Sequence, residues 1–181
     1  MLAPAFADPP ADAARAFRAI MEAVARPGAI YEVAGPAPEG LSPAAAAAIL
    51  CLCDATTPLH LAGPAAAARD WAAFHTGAPP ADAPGGAAFA AGPWDALGPL
   101  DDYHPGTPDY PDRSATLIVE MPHLAAEGAR LSGPGIETEA FLTLPYPEAL
   151  HRNAARYPLG VDLILCCGVR LAALPRSTRI S

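Results

Sequence analysis

Apolar side chains at Phe17, Ile20, Met21 and Val24 recur at the i, i+3, i+4, i+7 spacing of an amphipathic helix, and Asp8-Pro9 supplies its cap and first turn. Pro27-Gly28 ends that helix, and Ile30 and Val33 around Tyr31 read as a strand. Ser42-Pro43 opens an alanine-rich second helix reaching Asp54, and Pro58 to Leu61 reads as a short buried strand. Pro64 opens a third helix that carries Trp71 and Phe74. Gly77 to Pro111 is dense in Pro, Gly and Asp, so it reads mostly as loop with one strand at Ala87 to Ala91. Ala115 to Met121 is the strongest strand on aliphatic and β-branched content, and Leu131 closes another before the turn Ser132-Gly133-Pro134-Gly135. Pro145 to Arg156 reads as a helix. Val161 to Cys166 is apolar enough for a strand buried on both faces, and Gly168 turns it into an antiparallel partner at Arg170 to Leu174.

Helices alternating with strands, closed by a hairpin, predict an α/β fold: three layers, α/β/α, around a mixed sheet. At 181 residues, 1–181 is expected to form one domain, and no internal repeat appears.

Composition narrows the chemistry. Of the 52% hydrophobic residues, 44 are alanines, yet the larger apolar side chains still suffice for a core. All 11 basic residues are arginines, and the absence of lysine excludes a lysine Schiff base, ordinary pyridoxal-phosphate catalysis and a Walker-type phosphate loop. The net charge of −8 disfavours nucleic acid as a partner. That charge is uneven: residues 1–150 hold 6 arginines against 18 acidic residues, whereas 151–181 hold 5 arginines against Asp162 alone. An anion is therefore expected near the C-terminal segment. No apolar stretch approaches the roughly 20 residues that span a bilayer, and the first ten residues lack the pattern of a secretory signal, so no membrane contact and a cytoplasmic location are expected.

Cys51/Cys53 and Cys166/Cys167 lie in apolar runs without the spacing of zinc knuckles, which favours buried thiols over a zinc site. The histidines show no metal spacing, and no metal site is expected. His75, where a helix gives way to a loop, is either a general acid or base or a histidine stabilised by the helix dipole. Asp54, before Ala55-Thr56-Thr57-Pro58, is either a catalytic carboxylate or a turn residue bonding its own backbone. Arg176, beside Ser177 and Thr178, suits a phosphate or phosphonate, its alternatives being a solvated tail or a contact with an acidic partner. Arg18 and Thr178 complete the anion-binding candidates. Arg152 and Arg156, one helical turn apart, would extend the same basic patch.

Several motifs also occur in a consistent order: Phe17-Arg18 with Met21 and Pro27-Gly28; Leu52 through Asp54 with Thr57-Pro58; and Phe74-His75-Thr76-Gly77-Ala78-Pro79. Gly106-Thr107 with Pro111, Ala115 through Ile118, Leu131 through Ile136, and Pro158 through Leu165 leading to Pro175-Arg176 and Thr178 follow. Read together, they resemble the PhnH family, a subunit of the bacterial carbon–phosphorus lyase system, over essentially the whole chain. The resemblance implies the fold of pyridoxal-phosphate-dependent transferases without that cofactor, and a homodimer when isolated. It further implies an assembly with G, I and J subunits. With partners, such a subunit takes part in replacing the adenine of MgATP with an alkylphosphonate and is not catalytic alone. The competing expectation is an enzyme subunit that contacts phosphonate or nucleotide itself through His75 and Arg176. A remnant fold that binds an unrelated metabolite is the third.

Overall fold

A computed structural model describes residues 2–181. Helix α1 (Pro9–Ala25) begins with proline in its first turn, and Asp12 rather than Asp8 supplies the local carboxylate, accepting the Asp8 N–H at 2.9 Å. Helix α2 (Pro43–Leu52) is capped by Ser42, whose hydroxyl accepts from the Ala45 N–H. The third expected helix divides into a 3₁₀ segment (Gly63–Ala68) and α3 (Arg69–Thr76), closed by Gly77 in the left-handed region at φ 73°.

Strands β1 (Tyr31–Glu32), β2 (Leu59–Leu61), β3 (Phe89–Pro93), β4 (Thr116–Glu120), β7 (Asp162–Cys167) and β8 (Arg170–Leu174) form a six-stranded sheet. Its order is β1-β8-β7-β4-β3-β2; β2, β3, β4 and β7 run parallel, and β8 lies antiparallel between β7 and β1. The mixed α/β sheet expected from the sequence is present, including the hairpin through Gly168.

Side chains alternate between two cores. Ile118, Ile164, Cys166 and Leu171 point to one face, covered by α1, α2 and α3. Leu117, Val119, Leu163 and Leu165 point to the other. That second face differs from the expected plain helical layer. It carries two short helices, α4 (Trp94–Leu97) and α5 (Pro147–Ala154), and a second sheet β6-β5-β9 built from β5 (Ala129–Ser132), β6 (Ala140–Leu142) and β9 (Arg179–Ile180). Strands β6 and β9 are only three and two residues long, too short to show a period in sequence.

One expectation about packing is corrected. Helix α1 buries Ala16, Ile20 and Ala23, while Phe17, Met21 and Val24 remain about half exposed at 50%, 48% and 46%. The small side chains let the helix lie close to the body, and the larger residues of the periodic stripe are left beside its charged face.

Candidate functional site

Strand register fixes which edge of the sheet each candidate occupies. Leu59, Phe89, Thr116 and Asp162 stand in one row at the amino ends of the parallel strands. Asp54 lies just before that row and Arg176 is hydrogen-bonded to it through Asp162, so both belong to the amino edge. Ala55 of the Asp54 turn lies against Gly77, at the end of the helix that carries His75.

Asp54 closes its own turn. Its Oδ1 accepts from the Thr56 N–H at 2.8 Å and the Thr56 hydroxyl at 2.7 Å, and its N–H donates to Thr57 Oγ1 at 2.7 Å. The Thr56 hydroxyl, with the Thr56 amide, lowers its pKa. His75 holds the N-terminal arm: its Nε2 donates to the Ala3 carbonyl at 3.1 Å, while Trp71 Nε1 donates to the Pro4 carbonyl at 3.4 Å. The His75 ring lies 5.3 Å from Trp71 and 5.0 Å, edge-on, from Phe74. No hydrogen bond joins His75 to Asp54 among the described residues.

Arg176 is spent inside the protein. Its guanidinium donates to the Pro111 carbonyl and the Ser114 hydroxyl at 2.6 Å, donates to the Gly160 carbonyl at 2.9 Å, and lies 3.2 Å from Asp162 Oδ2. With its side chain only 15% exposed, Arg176 is neither a solvated tail nor a free anion clamp in this conformation; it staples the last strand to the loops ahead of β4 and β7. Thr178, in the same turn, is 1% exposed, and its hydroxyl has no hydrogen-bond partner among the described residues. Arg18 stands on the exposed side of α1 without an ion pair among the described residues.

A different place has the shape of a site. At the carboxyl end of β3, α4 and the segment from Gly98 to Asp101 face α5 across a cleft of about 560 Å³. Trp94, Leu100, Tyr146 and Ala149 contribute apolar surface, and Arg152 and Arg156 project from α5. Arg156 is ion-paired with Asp101 at 2.7 Å. Asn153 anchors α5 beneath the cleft: its Nδ2 donates to the Val161 carbonyl at 2.8 Å, and its Oδ1 accepts the Val161 N–H at 2.9 Å. The cleft lining does not include Arg176, so the single basic patch expected from the sequence is divided. Trp94 and Tyr146 were not legible as site residues. Their only signal is a bulky aromatic beside a proline.

Glu120 is a second residue that sequence reasoning missed. It ends β4, and its carboxylate accepts the Ser42 N–H at 2.7 Å at the start of α2. Burial raises its pKa, and the Ser42 bonds work against that rise. Burial also raises the Cys51 thiol to about 11 and Cys53 to about 12, and lifts Cys166 well above its usual value. Those thiols are protonated at neutral pH, which weighs against nucleophilic or metal-ligating roles.

The family motifs meet in space. The turn containing Gly133 and Gly135 sits between the end of α1, where Gly135 faces the Ala25 carbonyl, and the Ser177-Thr178 backbone beside Gly133. The profile described as "Bacterial phosphonate metabolism protein (PhnH)" matches residues 4–181. The chain belongs to the PhnH family. It is 38% identical over 188 residues to the alpha-D-ribose 1-methylphosphonate 5-triphosphate synthase subunit PhnH of Rhizobium meliloti (strain 1021), covering 97% of this chain and 94% of that relative. It is also 38% identical over 88 residues to a putative C-P lyase subunit protein, HtxG, of Stutzerimonas stutzeri, with 42% of each chain covered. The PhnH match therefore takes in both the Arg176 staple and the aromatic cleft.

Proposed function

We propose that this chain is a subunit of an alpha-D-ribose 1-methylphosphonate 5-triphosphate synthase within a carbon–phosphorus lyase system. The observation that carries this reading is the end-to-end match to a synthase subunit, 97% of this chain against 94% of the relative. With G, I and J subunits, the assembly would transfer the ribose triphosphate moiety of MgATP to an alkylphosphonate and release adenine. The chain would act as one domain over 1–181, in the cytoplasm, with a transferase-like fold that holds no pyridoxal phosphate. In isolation it would form a homodimer.

A supporting rather than self-sufficient role accords with how the candidate side chains are engaged. Asp54 is committed to its turn, His75 to the N-terminal arm and Arg176 to four internal oxygens. No helix is long and apolar enough to cross a membrane among the described residues.

The second reading gives His75 and Asp54 acid–base work and gives Arg176, Thr178 and Arg18 an anion. One observation favours it: the buried Thr178 hydroxyl lacks a partner among the described residues. Calorimetric titration of the isolated chain with methylphosphonate and MgATP separates the readings, because only the second expects heat.

Deleting the gene tests the first. Growth on methylphosphonate as sole phosphorus source should be lost and growth on phosphate kept. Undiminished growth on methylphosphonate would overturn the assignment.

A further inference from the structure

The cleft beside Trp94 lies between the segment that follows Pro93 of β3 and helix α5, whose Asn153 in the lining is tied to Val161 at the amino end of β7. Its volume of about 560 Å³ falls among those of small-molecule sites, roughly 300–1,000 Å³. Two aromatic side chains line it. Trp94 is partly buried and thereby held in orientation, while Tyr146 is 52% exposed at the start of α5.

The charges in the lining are more discriminating. Asp101 already neutralises Arg156 at 2.7 Å. Arg152, one helical turn earlier, makes no ion pair among the described residues and leaves one guanidinium free for an incoming anion. With Asp101 taken up by Arg156, Asp95 stands in the same lining without an ion pair among the described residues, so one carboxylate opposes a ligand that carries several negative charges.

We propose that this cleft binds an aromatic ring carrying one anionic group, a carboxylate or a phosphonate. The ring lies against Trp94 and Tyr146, and the anion meets Arg152. A triphosphate chain does not fit this charge pattern, so the site is distinct from one that would hold MgATP. The proposal does not rest on the synthase reading, since it follows from the lining residues alone.

Calorimetric titration of the full-length chain tests it, with benzoate and phenylphosphonate as ring-bearing probes and methylphosphonate and tripolyphosphate as ringless ones. The ring-bearing probes should give saturable heat, and the ringless probes should give none. Arg152→Gln should weaken phenylphosphonate by about tenfold or more, the loss expected for one charged hydrogen bond. Arg179→Gln, outside the cleft, should leave that affinity unchanged, and melting curves confirm that both variants fold. No saturable heat from either ring-bearing probe, equal affinity in Arg152→Gln, or tripolyphosphate binding as tightly as phenylphosphonate would overturn the proposal. Should the probes stay silent while Arg152→Gln breaks association with partner subunits, the cleft is a protein contact and the proposal falls.

Discussion

Arg176 and Asp162 are joined twice: the Arg176 backbone N–H donates to Oδ1 at 2.8 Å, and its guanidinium lies 3.2 Å from Oδ2. Through Pro111, Ser114 and Gly160 the same guanidinium ties the two loops ahead of β4 and β7 to the amino edge of the sheet. Arg176→Ala should therefore destabilise the fold by about 3 kcal/mol, because it strands a partly buried carboxylate and two carbonyls. Thermal unfolding checks this, with a fall of roughly 6–12 °C expected at this chain length. Arg176→Lys should recover little, since an ammonium cannot reproduce the planar fork.

Asn153 satisfies both backbone groups of Val161 from a position 6% exposed. Asn153→Leu would bury that N–H and carbonyl unpaired, at a cost of about 2–4 kcal/mol in denaturant titration. Gly160 limits the same spot: at φ 122°, an added Cβ would come 2.8 Å from Asn153 Oδ1. Gly160→Ala should thus destabilise even though the change is one methyl group.

Burial holds the Glu120 carboxyl above the ordinary glutamate range. A raised folded-state pKa means that the native state binds this proton more tightly than the unfolded chain does. The contribution is full below about pH 4.3, the unfolded value, and is lost as pH rises through the folded value. Glu120→Gln keeps an acceptor for the Ser42 N–H and removes the charge. Its melting temperature relative to the parent should rise between pH 4 and pH 7; an unchanged or falling difference would refute the assignment.

The N-terminal arm is held against α3 by Trp71 and His75. His75→Ala should loosen it and expose the Trp71 indole to water. Tryptophan emission shifted to the red, with far-ultraviolet circular dichroism preserved, is the expected signature. A spectrum identical to the parent's would contradict that role.

Long, strongly patterned segments were legible from sequence. Thr116–Glu120, the β7–β8 hairpin and the caps at Ser42 and Gly77 follow from aliphatic content and local backbone chemistry. Short elements were not, because two or three residues in β6 and β9 draw their pairing from tertiary contacts. On α1 the stripe at Phe17, Ile20, Met21 and Val24 gave the correct element, but of these only Ile20 is buried, since alanine packing decided the contact. For the candidate site, residue type identified groups able to do chemistry, while position decided their employment. Arg176 is chemically suited to an anion and yet answers internal carbonyls. The Trp94 cleft was hidden because its walls come from segments some fifty residues apart in the chain, as in the Arg156–Asp101 pair separated by 55 residues.

Reconstitution of the synthase with and without this chain tests its membership most directly. Purified G, I and J partners together with the remaining components should co-elute with the chain and release adenine from MgATP and methylphosphonate only when it is present. Full adenine release in its absence, or a folded chain that never associates with those partners, would contradict the account.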